Sequence, residues 1–574
     1  MPAKIYFDQY NPSSDQARPE DVRKSLSGLD YSPLPKLTGR SVAMGLLVSM
    51  GGLIFGYDTG QISGFLEMPS FLAEFGQTND QGQRYFSNVR AGLIVSLLSI
   101  GTLIGALCCA PIADKIGRRI SISIGSGVVT VGFVIQISAS TAWYQVMIGR
   151  FVAGLGVGML SLLVPMYLAE TAPPWIRGAL VCSYQLFITA GILIAALFNF
   201  ATVSTIPDSP ASWRIVVGLG FIWTVALGVG ILFFPETPRY DMKMDKRELA
   251  AKTLCRVYGA PTPNHFAVYT QLEEIQKRLV IDQQMASDST ADEIRAMWNA
   301  PRVPYRVLLG VLLQMFQQLT GANFFFYFGT VIFRSVSISS FVTQIILNAI
   351  NFVSAFGGLY LVEYYGRRPS LILGAVWMFI CLIIFASVGN FKLNLDDPQS
   401  TKGAGVVLIV FACLFIVGFA TTWGPMVWAI QAELFPSRFR AKGMAMSTAS
   451  NWIWNFCIGF FTPFIFDAIG FQYGYVFAAC NFVAALLVFL CVIEGKNRTL
   501  EEVDTMYVEH VKPWKSTEWK APSAQEMRRI RREAGEDVNL DDDDDEPEKV
   551  VGGGGGGGDS GSAEATGIDH LEHA

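Results

Sequence analysis

The sequence predicts an all-α polytopic membrane protein, with twelve transmembrane helices arranged as two six-helix halves. The 574 residues are 51% hydrophobic and only 16% charged, against about 25% charged in a soluble domain. That deficit is uneven: uncharged runs such as Ile94 to Pro111 and Val406 to Gln431 alternate with short charged segments. Each run is long enough to cross roughly 30 Å of hydrocarbon. Charged loop segments also recur in the same order in both halves of the chain.

Residues 1–40 are polar and contain Pro and Ser, so they read as an N-terminal tail. With no cleavable signal ahead of it, the first span serves as the insertion signal. Spans are expected to start near residues 41, 91, 119, 145, 178 and 213, which makes an N-terminal half over 41–234. Residues 235–305 are charged and amphipathic and read as a linker of short helices on one membrane face. Six more spans, starting near 306, 341, 370, 404, 445 and 473, make a C-terminal half over 306–494. Residues 495–574 read as a largely disordered tail, because Asp541 to Asp545 and Gly552 to Gly558 offer no apolar surface to bury.

Lys and Arg set the orientation. The short loops on the linker side carry Lys115, Arg118, Arg119, Arg177, Arg367, Arg368, Arg438, Arg440 and Lys442. The opposite loops carry Arg84, Arg90, Arg214, Arg334, Lys392 and Lys402. Both termini and the linker are therefore expected in the cytoplasm. The triplet Asn497-Arg498-Thr499 falls on that side and is expected to stay unglycosylated.

The repeat pairs "ADKIGRR" (113–119) with "VEYYGRR" (362–368), and "LAETAPPWIRG" (168–178) with "QAELFPSRFRAKG" (431–443). Glu170 and Arg177 map onto Glu433 and Arg440. Two halves with matched charged loops are the pattern of a carrier that rocks about a midplane site. Asp114, Arg118, Glu170 and Arg177 lie at helix ends, where acids and guanidiniums can pair across neighbouring spans and hold one face shut.

What chemistry the membrane region can carry is narrow. The histidines, 265, 510, 570 and 573, all lie outside the spans, which argues against a metal site or His-based catalysis there. Nine cysteines without paired spacing read as apolar fillers. No GxxxxGK[ST] loop is present, so nucleotide hydrolysis is not expected. The expectation is a protein that is not an enzyme, with no cofactor, no metal and no nucleic-acid partner. Uncharged polar residues instead collect in a few spans: Gln185, then Gln317, Gln318 and Asn323 beside Thr320-Gly321, then Asn351, then Asn451, Trp452 and Asn455. Amides donate and accept without charge, which suits a neutral polyhydroxylated ligand, and Trp428 and Trp452 suit the apolar face of a pyranose. One carboxylate, Asp58, sits in the apolar "LIFGYDTGQISG" (53–64), where an ionisable group is costly and marks function.

At these residues the sequence resembles the sugar porter family of the major facilitator superfamily, over roughly residues 41 to 510. "DKIGRR" (114–119), "EYYGRR" (363–368), "GRFVAGLGVG" (149–158), "PMYLAETAPPWIRGAL" (165–180), "PETPRY" (235–240) and "QQLTGAN" (317–323) carry the match. The stretch 419–465 is similar to fungal hexose transporters. The resemblance implies sugar contacts at Gln185, Gln317, Gln318, Asn323, Asn351, Gly424, Trp428 and Asn451. It implies aromatic lining or gating at Phe55, Tyr327, Phe419 and Trp452. A charged gate on the cytoplasmic side is implied at Asp114, Arg118, Glu170, Arg177, Glu236, Glu363, Arg367, Glu433, Arg440 and Glu494. Two departures bear on the gate: Ala420 replaces an acid common in relatives, and "IEGKNRTLEEV" (493–503) replaces Pro-Glu-Thr-Lys-Gly.

In proton-coupled relatives, an acid like Asp58 and an Arg like Arg150 form a protonation switch. Burial and a nearby guanidinium pull a carboxyl's proton affinity in opposite directions. The expectation is therefore hexose transport, glucose first, across the plasma membrane by alternating access with proton symport. The protein's partners are then a sugar, protons and the lipid bilayer. Fungal uniporters of the family keep this acid too, so facilitated diffusion stays open. A transporter-like glucose sensor is a further rival, although the tail after Glu494 is short for signalling. An intramembrane aspartyl protease is disfavoured, since its partner Gly-x-Gly-Asp occurs only at Gly556 to Asp559.

Overall fold

The computed structural model describes residues 29–530 apart from 81, 83, 286–289, 334–338, 395–397, 437, 497, 499, 523–525 and 528. The first helix, α1 (Gly39–Phe65), starts at Thr38, whose hydroxyl accepts from the Ser41 amide. A short α2 (Pro69–Phe75) and a two-stranded hairpin, β1 (Gln77–Thr78) and β2 (Arg84–Tyr85), follow. The N-terminal half continues with α3 (Asn88–Ile116), α4 (Arg118–Ile137), α5 (Trp143–Thr171), α6 (Pro174–Thr205) and α7 (Ala211–Gly230). Four short helices form the linker: α8 (Pro238–Lys243), α9 (Arg247–Tyr258), α10 (Phe266–Met285) and α11 (Thr290–Asn299). The C-terminal half holds α12 (Val303–Leu319), α13 (Ala322–Ile332), α14 (Ser340–Tyr364) and α15 (Arg367–Phe391). It ends with α16 (Lys402–Gly418), α17 (Gly424–Leu434), α18 (Arg440–Ile469) and α19 (Tyr473–Cys491).

Among the described residues, ten stretches are long and apolar enough to cross a membrane. One of them, Arg440–Cys491, turns back at Gly470, with φ 55°, and so crosses twice as α18 and α19. Another crossing is broken at Gly321, with φ 96°, into α12 of 17 residues and α13 of 11. Neither piece alone reaches the roughly 20 residues of a span. The tenth crossing keeps its length but passes through a π-helical turn at Phe419–Trp423, between α16 and α17. Twelve crossings result, each starting within five residues of its expected position.

Close backbone packing organises the bundle. A Cβ on Gly105 of α3 would meet the Leu155 carbonyl at 2.0 Å, and one on Gly158 of α5 would meet that of Thr102 at 2.2 Å. Small residues let membrane helices approach in this way when apolar burial cannot drive them together. Between the halves, α3 packs on α18, α6 on α14 and α13 on α1.

Described residues at the edges of both tails make specific contacts with the bundle. Within residues 1–40 the Lys36 carbonyl accepts from the Trp175 indole and Thr38 donates to the Val257 carbonyl, as does Ser41 in the first turn of α1. Beyond Glu494, where a largely disordered tail was expected, α20 (Leu500–Val508) forms. Asp504 of α20 makes a buried ion pair with Arg306 of α12, and the Arg306 guanidinium lies 4.8 Å from the Tyr507 ring. The poly-Asp and poly-Gly segments lie outside the described residues, as do Asn497 and Thr499.

Candidate functional site: an amide network at a broken helix

Gln314, Gln317 and Gln318 follow helical spacing on α12, so their amides share one face next to the break. The Gln317 Nε2 donates to the carbonyls of Trp423 (3.1 Å) and Gly424 (3.0 Å), at the end of the π-turn. Asn451 of α18 donates to the Oε1 atoms of Gln314 (2.7 Å) and Gln317 (2.6 Å) and accepts from Gln318 (2.9 Å). Asn323, just past the break, donates to the Gln318 Oε1 at 2.5 Å. Gln314 also donates to Gln431, which donates on to the Met444 carbonyl (2.7 Å) and Thr448 (3.0 Å). The network is buried and carries no formal charge.

The structure thus joins Gln317, Gln318, Asn323, Gly424 and Asn451 directly. Gln185 on α6 and Asn351 on α14 stand apart. Among the described residues neither makes a hydrogen bond, although Asn351 is only 3% exposed. Their amides remain able to pair with a ligand. Trp428 lies one turn beyond Gly424 and is 37% exposed, outside the hydrogen-bonded network. Phe55 of α1 packs across the halves on Trp452, with centroids 5.7 Å apart. Phe419 meets Phe326 at 6.4 Å, and the Tyr327 hydroxyl donates to Asn455 at 2.8 Å.

Asp58 and Arg150 are fully buried, and their side chains meet at 3.4 Å. The Gln61 Nε2, one turn along α1, donates to the same Asp58 oxygen at 2.6 Å. Among the described residues, the second Asp58 oxygen and the Arg150 Nε and Nη2 have no hydrogen-bond partner. The pair is therefore under-satisfied, with polar capacity left over for a proton, a water or a partner supplied by motion.

A family model described as "Sugar (and other) transporter" matches residues 44–507. The chain belongs to this sugar transporter family. It is 41% identical over 540 residues to the low-affinity glucose transporter HXT1 of Saccharomyces cerevisiae, covering 92% of each chain. It is 43% identical over 485 residues to the low-affinity glucose transporter of Kluyveromyces lactis, covering 84% of each. Among solved structures, the inward open conformation of the xylose transporter XylE from E. coli matches with a TM-score of 0.66 and 25% identity. That match covers 81% of this chain and 99% of the other.

In this member of the sugar transporter family, the two halves carry the same charged device on the linker face. Gly117 (φ 93°) and Gly366 (φ 100°) turn the chain into α4 and α15. Glu236 accepts from the amides of Arg118 (2.9 Å) and Arg119 (3.1 Å), and Glu494 from those of Arg367 (3.1 Å) and Arg368 (3.0 Å). Each carboxylate thus caps a helix N-terminus, where amides are unpaired and the dipole favours negative charge. The arginine side chains reach neighbouring helices of the same half: Arg118 pairs with Asp114 of α3 (3.1 Å) and Glu170 of α5 (3.2 Å), and Arg367 with Glu433 of α17 (2.9 Å).

These ion pairs link neighbouring helices within each half. Arg177 and Arg440 occupy equivalent places but donate to backbone carbonyls, Ala172 and Phe435, each at 3.4 Å. The Glu363 side chain lies outside the described residues. Between the halves, hydrogen bonds of described residues run from midway to the far face. Ser99 donates to Asn455 (2.7 Å), Thr330 to the Ser63 carbonyl (2.5 Å) and Asn88 to Asp467 (3.3 Å).

Gln314 was legible in advance as the residue one turn before Gln317. Gln61 likewise stands one turn from Asp58 in the same quoted stretch. Gln431 and Ser99 gave no such signal: Ser99 is one of several small hydroxyls on its helix, with Ser96 and Thr102, and Gln431 stands beside the charged Glu433 of the repeat.

Proposed function

We propose that this chain moves a neutral hexose, glucose before galactose, across the plasma membrane by alternating access, with both termini in the cytoplasm. The observation that carries the reading is the uncharged amide network at the broken helix, with Gln185 and Asn351 elsewhere in the bundle keeping unused hydrogen-bonding capacity among the described residues. Sugar hydroxyls both donate and accept, as amides do, and nothing charged competes for them. Gln185, Gln317, Gln318, Asn323, Asn351 and Asn451 would hold the hydroxyls, with Trp428 and Trp452 against the ring. The S. cerevisiae and K. lactis relatives are named glucose transporters. A solved structure of the proton:xylose symporter XylE holds 6-bromo-6-deoxy-D-glucose. The excess of Lys and Arg on the linker side supports the orientation.

In this reading the broken α12–α13 helix lets the far-face piece move separately, while the capped loops keep each half rigid as it rocks. Proton coupling would run through Asp58, whose unpaired oxygen can take a proton while Arg150 and Gln61 hold the other. Facilitated diffusion is the second reading, favoured by the complete burial of Asp58 in this state. Purified protein in liposomes, given radiolabelled glucose with and without an inward proton gradient, tests both. Saturable uptake supports the hexose reading, and its absence defeats it. Accumulation above the external concentration under the gradient establishes symport, and simple equilibration establishes uniport.

A further inference from the structure

Asn455 is a junction that the sugar reading leaves without a task. Its Oδ1 accepts two hydrogen bonds, one from each half: Ser99 of α3 at 2.7 Å and Tyr327 of α13 at 2.8 Å. Its Nδ2 points to the Gln318 Oε1 at 3.4 Å, within the amide network. Asn455, Ser99 and Tyr327 are all at least 96% buried. An amide oxygen has two lone pairs, so both are in use in this state. The Ser99 bond exists because α3 and α18 are packed together, as are α1 and α13, where Thr330 binds Ser63 further toward the far face. When the halves part there, Ser99 withdraws and one buried lone pair is left without a donor. A buried acceptor without a donor is costly, and a sugar hydroxyl is the donor that the site's own ligand brings.

We propose that Asn455 is a positioning residue that couples sugar binding to far-face closure, with Ser99 and a sugar hydroxyl competing for its carbonyl oxygen. The proposal rests on the hexose reading and adds a direction to it. With the far face open, the sugar takes the place of Ser99 and binds more tightly. On closure Ser99 reclaims the oxygen, the sugar loses one bond, and release toward the linker face is favoured. A ligand can shift such an equilibrium only by its differential affinity for the two states. Exchange of one hydrogen-bond donor supplies that difference.

The test is the ratio of half-saturation for glucose entering from the linker face to that for glucose entering from the far face. It is measured in vesicles of each orientation for wild type, Ser99→Ala, Ser99→Thr and Asn455→Ala. Wild type should bind more weakly from the linker face. Ser99→Ala removes the competitor, so linker-face affinity should rise by about fivefold, the effect of one hydrogen bond, and the ratio should fall. Ser99→Thr restores a donor and should restore the ratio. Asn455→Ala should weaken far-face binding and abolish the asymmetry. A purely structural role would lower the number of active molecules and leave the ratio alone. Wild-type asymmetry in both Ser99→Ala and Asn455→Ala, with saturable wild-type flux, overturns the coupling and leaves the hexose reading standing. Wild-type protein without saturable glucose flux overturns the hexose reading, and the coupling with it.

Discussion

Asn351 and Gln318 are both proposed sugar contacts, yet their surroundings predict different consequences of removal. Asn351 has no hydrogen-bond partner among the described residues. Asn351→Ala should therefore weaken glucose binding by about 1–3 kcal/mol with little change in unfolding temperature. Gln318 bonds to Asn451, Asn323 and Asn455. Gln318→Ala should weaken binding similarly and also lower the unfolding temperature, because buried amides lose their partners. Binding by intrinsic fluorescence and melting in detergent separate the two effects, and equal melting losses would refute the distinction. Asp58→Asn leaves the fully buried Arg150 without its counter-charge, a loss that costs about 3–5 kcal/mol. Removing the guanidinium too, in Asp58→Asn with Arg150→Gln, should recover much of that stability. If the double variant melts lower than the single, the pair is not coupled as drawn. Several of these residues were legible because apolar surroundings make any polar side chain conspicuous. Ser99 and Gln431 were not, since their importance lies in partners 356 and 117 residues away.

At the scale of elements, helix starts were readable from runs of apolar residues, and the break in the seventh span from Thr320-Gly321. α20 was not readable, because it is held by Asp504 pairing with Arg306 across 198 residues of chain. The helix caps make a measurable prediction. Glu236 accepts from the amides of Arg118, Arg119 and Thr237. Glu236→Gln keeps an acceptor and loses about 0.3–1 kcal/mol of charge–dipole attraction. Glu236→Ala removes the cap itself and should cost about 0.5–2 kcal/mol. Thermal melting that ranks Gln below Ala would contradict the capping role. On the linker face, the Asp241 carboxyl of α8 is pushed above its ordinary range, by burial first and then by Glu236, with Lys246 and Arg119 opposing. Such a group holds its proton more tightly folded than unfolded. Its contribution is fully present below the unfolded pKa near 3.8 and is lost as pH rises through the raised folded value. Asp241→Asn should therefore gain stability over wild type as pH increases from acid toward neutral. A difference in melting temperature that does not change with pH would exclude Asp241 as the source.

Across the whole molecule, the cross-half hydrogen bonds of described residues show which face is held. They run from Ser99–Asn455 near the middle to Ser63–Thr330 and Asn88–Asp467 at the far face, while the charged pairs on the linker face stay within their own halves. A cavity of about 560 Å³ lies at the far face between Leu66, Arg84, Phe328 and Asp467. Thr330 is the best lever on this balance. Its hydroxyl donates to the Ser63 carbonyl, its amide faces the Ser63 hydroxyl at 3.4 Å, and it is 1% exposed. Thr330→Val keeps the shape and the amide and removes the hydroxyl link to Ser63, made to its carbonyl and, at 3.2 Å, with its hydroxyl, together worth about 1 kcal/mol in a membrane protein. That bond spans the halves, so the loss falls on the far-face-closed state alone. The equilibrium should then move toward the far-face-open state by about fivefold. A single cysteine placed at Phe328, in the far-face cavity, should react correspondingly faster with an impermeant thiol reagent when combined with Thr330→Val. Saturating glucose added from the far face should raise reactivity further in both backgrounds, since a ligand favours the state that binds it better. If Thr330→Val leaves the labelling rate unchanged in folded protein, the bond contributes equally to both states, and far-face closure must be set by the packing of α1 on α13 and α3 on α18.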